Sequence, residues 1–132
     1  MRVKIYARNA APDQLNELRS LLEDAGCEVI EDVDDNDELP LIILIIPELD
    51  QNDDLEDLLI NSASVGRLVI GVWPKDAAGY PVPDCLDKYS SHQIKSDPEI
   101  LKRILAGDDL EPVYQNADGT ARPAPRLDRN KC

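Results

Sequence analysis

The side chains best suited to nucleophilic or metal chemistry are few and far apart in this chain. They are three cysteines and one histidine, namely Cys27, Cys85, Cys132 and His92. A structural zinc ion needs four such ligands in a cluster. A serine hydrolase would have to use His92 and would need a Gly-x-Ser-x-Gly turn, which the sequence lacks. We therefore expect no zinc site, no serine-hydrolase chemistry and no resident cofactor.

Carboxylates are far more numerous, and their densest run covers residues 32–38. Such a run suggests calcium, but an EF-hand loop requires glycine at its sixth position and glutamate at its twelfth. Counted from the first residue of the run, these positions hold Asp37 and Ile43. We therefore expect no metal centre beyond a loose cation site. Asp34, Asp35 and Asp37 are candidates for contacts with a partner.

The charge of the chain is strongly negative and unevenly distributed. The net charge is −13, and residues 20–66 contain fifteen Asp and Glu but no Lys, Arg or His. A field of this sign repels the phosphates of nucleic acids and attracts basic protein surfaces. The C-terminus is basic instead, and Arg126 and Arg129 are further candidates for partner contacts. We expect a protein partner or an ordinary solvated acidic surface, and no direct binding of nucleic acid.

No segment has the character of a membrane span or a secretory signal. The longest apolar run is far below the roughly 20 residues that cross a bilayer, and residues 1–13 lack the apolar centre of a signal peptide. We expect a cytoplasmic protein without membrane contact. A length of 132 residues suits one domain, and a homo-oligomer stays open.

Apolar periodicity predicts the elements that must position these side chains. Residues 41–46 are apolar throughout and lie between two prolines, which is typical of a strand covered by helices on both faces. Residues 68–73 have the same character. The other predicted strands are 2–7, 28–33 and 92–95, and the predicted helices are 13–25, 53–64, a single turn at 85–89, and 98–106.

This order predicts an α/β fold in which a mostly parallel, five-stranded sheet lies between two layers of helices. The acidic residues of 28–33 favour an edge strand. Its direction stays open, because the loop 34–39 is short for a parallel crossover. We expect residues 1–107 to form the domain. Residues 108–132 form an irregular, basic and proline-containing tail, with either a hairpin around 116–120 or partial disorder.

In open parallel sheets the ligand crevice lies beyond the carboxyl ends of the strands. The residues that follow the predicted strands there include four that suit a ligand. We predict these as the ligand-binding residues, with ordinary loop residues as the alternative: Arg8, Asn9, Trp73 and Lys75.

Two kinds of domain with this strand order are excluded by their motifs. A receiver domain needs paired acids after its first strand and an aspartate at the end of its third, and this chain has Arg8, Asn9 and Pro47 there. A nucleotide-binding fold would need a glycine-rich phosphate loop, and neither standard form is present.

Several stretches together resemble the TIR-like members of the flavodoxin-like group, over about residues 1–107. They are VKIYARN, LIILIIP, DDLEDLL, and RLVIGVWP followed by PVPDCLDKYSSHQIKSD. The resemblance implies a flavodoxin-like domain that serves in protein interaction or signalling, in some members within bacterial anti-phage (antiviral) defence. In TIR enzymes that cleave NAD, a glutamate early in the helix after the third strand is essential. The best matching position here is Glu56, with Glu48 second, although the usual Ser-x-Trp-Cys context is absent.

Three functions therefore stay open. The first is a non-catalytic interaction or signalling module of the TIR-like kind. The second is a glycohydrolase that cleaves NAD, as substrate, or another nucleotide, with Glu56 as the catalytic carboxylate and Trp73 and Arg8 holding the substrate. The third is an acidic mimic that occupies the basic surface of a partner.

Overall fold

The computed structural model describes residues 2–7, 10–30, 39–46, 53–75, 82–107 and 113–121, with the side chains of residues 53 and 54 left out. Within them, strands and helices follow one another along the chain. Their bounds are β1 (Arg2–Tyr6), α1 (Pro12–Asp24), β2 (Glu28–Val29), β3 (Leu41–Leu44), α2 (Asp53–Ser64), β4 (Val69–Val72), α3 (Asp84–Tyr89), β5 (His92–Ile94) and α4 (Pro98–Leu105).

The five strands form one parallel sheet in the order β2-β1-β3-β4-β5. This is the strand order of flavodoxin-like domains, so the predicted α/β fold is confirmed. β2 lies at an edge, as predicted, and its open direction is now fixed, since it runs parallel to β1. The chain must therefore cross from one side of β1 to the other between β2 and β3, and residues 31–38 of that connection lie outside the described residues.

The strand β3 and the two residues after it are covered on both faces. No residue of 41–46 is more than 3 % exposed. From β1 the chain steps to β2 at one edge of the sheet, whereas from β3 it steps through β4 to β5 at the other edge. Because parallel crossovers are right-handed, α1 therefore lies on one face of the sheet, and α2 and α3 lie on the other. The contacts agree, since α2 packs on α3 and α1 packs on α4. The predicted three layers are confirmed.

Local signals set the ends of the helices. The Ala11 N–H donates to the Gln14 side chain over 3.1 Å at the start of α1, and Pro12 occupies the first turn, where its missing N–H costs nothing. The Asp97 carboxylate caps α4 by accepting the N–H of Glu99 and of Ile100. None of the helices among the described residues is long and apolar enough to span a membrane.

Residues 113–121, here called the C-terminal strap, extend the sheet beyond β5. The Gln93 N–H donates to the Val113 carbonyl over 2.8 Å, and the Gln115 N–H donates to the Gln93 carbonyl over 2.7 Å, which is parallel pairing. Asn116 and Thr120 then close a turn that places Ala121 antiparallel to Gln115. Within the described residues, the strap therefore contains a turn closed by one antiparallel bridge.

Candidate functional site

Most of the residues predicted to contact a ligand or a partner lie outside the described part of the chain. They are Arg8, Asn9, Asp34, Asp35, Asp37, Glu48, Arg126 and Arg129. The loops that carry Arg8, Asn9 and Glu48 follow β1 and β3, which flank the point where flavodoxin-like sheets bind ligands. The structure places three of the predicted site residues, namely Glu56, Trp73 and Lys75.

Trp73 lies inside the protein at the carboxyl end of β4. Its side chain is 3 % exposed, and its indole N–H donates to the Gln115 carbonyl of the strap over 2.8 Å. Its own carbonyl accepts the Ser96 hydroxyl over 2.6 Å. The indole that was predicted to hold a ligand thus holds the C-terminal strap. Lys75, two residues further on, is exposed.

Glu56 lies in the first turns of α2, on its exposed side. The structure brings it near Cys85 of α3, a neighbour that sequence analysis did not assign to it. Burial raises the pKa of the half-buried Cys85 thiol, and the negative charge of Glu56 raises it further. A thiol whose pKa is raised stays protonated at neutral pH and is a poor nucleophile. This pair therefore lacks the activated nucleophile of a cysteine enzyme.

A buried polar network lies under the strap, on the α3 side of β5. The Gln93 amide donates to the Asp87 carboxylate over 2.8 Å and to the Ser90 hydroxyl over 3.1 Å. The Tyr114 hydroxyl donates to the Ser90 carbonyl over 3.1 Å. Gly71 makes room for this arrangement, because a Cβ at that position would lie 3.3 Å from the Gln93 side chain.

This network contains the residue types of a catalytic triad, but its geometry is structural. Ser90 is fully buried and His92 is 6 % exposed, so neither side chain is open to solvent. The Asp87 carboxylate accepts from Gln93, and His92 Nδ1 accepts the Val113 N–H over 3.0 Å. These bonds fix β5 and the strap. Sequence analysis missed Gln93, although a glutamine inside a short predicted strand was a signal that a buried partner must exist.

Arg67 occupies the opposite, amino-terminal edge of the sheet. It is the first basic residue after the long acidic stretch, and it is 9 % exposed. Its Nε–H donates to the Leu39 carbonyl over 2.5 Å. Arg67 thus connects the entry to β4 with the residues just before β3.

The outer surface of both helical layers carries acidic side chains. Six of the exposed ones lie on or beside α1 and α2: Asp13, Glu23, Asp24, Glu28, Glu56 and Asp57. Within the described ranges, no group of three or more His, Cys, Asp or Glu residues is placed to hold a metal ion. The chemistry that this surface offers is electrostatic attraction of positive charge.

Comparison with known proteins finds no matching family model, no matching curated protein and no matching solved structure.

Proposed function

We propose that this chain is a non-catalytic protein-interaction module of the TIR-like kind that binds a basic surface of its partner. The observation that carries the proposal is the hydrogen bond from the Trp73 indole to the Gln115 carbonyl. It supports the view that the carboxyl edge beside β4 and β5 is filled by the protein's own strap. A ligand that accepted the indole N–H would have to displace the Gln115 carbonyl.

The charge of the exposed helices supports a basic partner. Exposed carboxylates lie at the end of α1 and along α2, within a stretch that contains no basic residue. Complementary charges raise the rate of association and select the partner more than they raise the final affinity. The complex should therefore weaken as salt screens these charges over the Debye length, about 8 Å at physiological ionic strength.

The test captures partners on the immobilised full-length chain at low salt, and then measures affinity for the purified partner. We expect the affinity to fall with rising salt and in the double variant Glu56→Gln, Asp57→Asn. A matched control is Lys102→Gln, which changes an exposed charge of the opposite sign on the other helical layer. Affinity that is indifferent to salt and to the α2 variant would contradict the basic-partner proposal.

Cleavage of NAD or another nucleotide is the second candidate, and one observation favours it. Glu56 is an exposed carboxylate early in the helix after β3, where the TIR-like resemblance implies a catalytic glutamate. Incubation of the purified chain with NAD distinguishes the two candidates by the release of nicotinamide. We expect none. Release by the natural sequence that is lost in Glu56→Gln would establish the enzyme and overturn the non-catalytic proposal.

The acidic mimic and the interaction module would contact the partner through different acidic residues. It would depend on Asp34, Asp35 and Asp37, which lie outside the described residues. Changing these three to Asn, with α2 left intact, should abolish binding by a mimic. The same change should only weaken a module that binds through α2.

A further inference from the structure

His92 holds the C-terminal strap through a hydrogen bond that only a neutral imidazole can make. The Val113 N–H donates to His92 Nδ1 over 3.0 Å, in a site where the His92 side chain is 6 % exposed. A peptide N–H can only donate, so Nδ1 must offer a lone pair. A protonated imidazole carries N–H groups on both nitrogens. Two donors would then face each other across 3.0 Å.

We propose that His92 is a proton-sensitive switch, in which protonation of its ring releases residues 113–121 from the edge of β5. Other hydrogen bonds between described residues also hold the strap. They include the two backbone bonds to Gln93, the Trp73 indole bond, the Tyr114 hydroxyl bond, and the bond from the Lys95 N–H to the Gln115 side chain. Loss of the His92 bond, with repulsion in its place, weakens the docking of the strap.

Acidification favours release, because the docked strap requires the neutral ring while the undocked strap leaves the ring open to water. A histidine in water takes up a proton near pH 6.5. The undocked state therefore binds more protons, and docking weakens as the pH falls. With one linked proton, the ratio of undocked to docked strap rises by up to about tenfold for each pH unit below that range.

The charged groups on the elements packed against His92 can be named only for the described residues. Consecutive strand residues point to opposite faces, so His92 faces the α4 layer while Gln93 faces Asp87 and α3. On the β4 side, its register partner is the apolar Ile70. The charged residues of α4 are all exposed. The titratable groups on and beside α3, α4, β5 and the strap, within the described residues, are Asp84, Cys85, Asp87, Lys88, Tyr89, Lys95, Asp97, Glu99, Lys102, Arg103, Tyr114 and Asp118.

Release of the strap would uncover a surface with a defined chemistry. The N–H and carbonyl groups of Gln93 would lose their pairing with Val113 and Gln115, and the edge of β5 would become open. An unpaired edge strand accepts another strand. The Trp73 indole would be uncovered beside it. The switch thus controls the accessibility of the β5 edge. It does not depend on which partner the acidic helices bind.

The full-length chain offers two built-in reporters for a test, because Trp73 is its only tryptophan and His92 its only histidine. The measurement follows the Trp73 indole and Gln115 amide resonances by NMR from about pH 8 to about pH 5. The ring nitrogen shifts of His92 are recorded in the same samples. We expect the strap signals to move to undocked values as Nδ1 takes up its proton, while the Ile42 amide in β3 stays in place.

The matched control is His92→Asn, which keeps a short acceptor oxygen near the position of Nδ1 but cannot titrate. Its strap signals should stay docked over the whole range. Strap signals that do not change in the natural chain, or that titrate equally in His92→Asn, would overturn the proposal. So would an Ile42 signal that moves together with the strap, since this would be global acid unfolding. Should His92→Asn fail to fold, the His92 ring shifts of the natural chain decide: strap signals that move while Nδ1 stays unprotonated refute the switch.

Discussion

Arg67 is the first basic residue after a long acidic stretch, and the fold places it inside rather than on the surface. Its Nε–H bond to the Leu39 carbonyl connects two segments that are 28 residues apart. Ser62, near the end of α2, is also buried but contributes no such bond: its hydroxyl has no hydrogen-bond partner among the described residues. Burial of a polar group is costly unless it is bonded. The unbonded Ser62 hydroxyl should therefore reduce stability, whereas the Nε–H bond of Arg67 offsets part of the cost of burying its guanidinium.

The first prediction concerns Arg67→Ala. The change removes the bond to Leu39 and the packing of the side-chain stem, so the free energy of unfolding should fall by about 2 kcal/mol. Urea unfolding of the purified variant measures it. The control is Lys75→Ala, since Lys75 is exposed, and this should stay within about 0.5 kcal/mol of the natural chain. Equal stability of the two variants would show that Arg67 contributes nothing.

The second prediction concerns Ser62→Ala. Ser62 is 2 % exposed, and removal of its unbonded hydroxyl should raise the free energy of unfolding by about 1 kcal/mol. Ser64→Ala on the same helix is the control, because Ser64 is exposed and its hydroxyl donates to the Asn61 carbonyl over 2.7 Å. Thermal unfolding compares them. A loss of stability in Ser62→Ala would mean that the hydroxyl has a partner.

At the scale of elements, the helices α2 and α3 pack side by side and bring Glu56 to Cys85. Each helix was predicted from its own residues, and the predicted bounds of α2 agree with the observed Asp53–Ser64. The approach of the two side chains was not predicted. Helical periodicity identifies the face of each helix that packs inward, but the neighbour of that face depends on the order of the strands.

The third prediction tests this approach through the reactivity of the thiol. Burial and the Glu56 charge both raise the Cys85 pKa, so Glu56→Gln should lower it and increase the thiolate fraction. The rate of Cys85 alkylation at mildly alkaline pH should rise about twofold. Mass spectrometry assigns the modified cysteine. Asp57→Asn, an exposed change one residue along α2, should leave the rate unaltered, and an equal rise in both variants would refute a specific contact.

At the scale of the whole molecule, the C-terminal strap completes the sheet at the edge of β5. Tyr114 is 5 % exposed, and its hydroxyl reaches the Ser90 carbonyl. Trp73 reaches Gln115, 42 residues along the chain. The strap therefore belongs to the folded unit, and undocking of the strap should change the environment of Trp73.

The fourth prediction concerns Tyr114→Ala. Loss of this buried aromatic side chain should lower the free energy of unfolding by about 3 kcal/mol and shift the Trp73 emission to longer wavelength, as the indole meets water. Tyr114→Phe is the matched control, since it removes only the hydroxyl bond and should cost about 1 kcal/mol. An emission maximum that is unchanged in Tyr114→Ala would show that the strap does not cover Trp73.

The sequence alone determined the layers of this protein. Six consecutive apolar residues at 41–46 are typical of a strand buried between two layers of helices, and the helical periodicity of α1, α2 and α4 predicted those layers. Such patterns are local and can be found within a few neighbouring residues. The tertiary structure decided the direction of β2, the burial of Trp73 and the polar contacts of Gln93 and His92. These features depend on pairings between distant segments. They could not be predicted from the sequence, because a hydrogen bond such as the one from Trp73 to Gln115 leaves no periodic pattern near either residue.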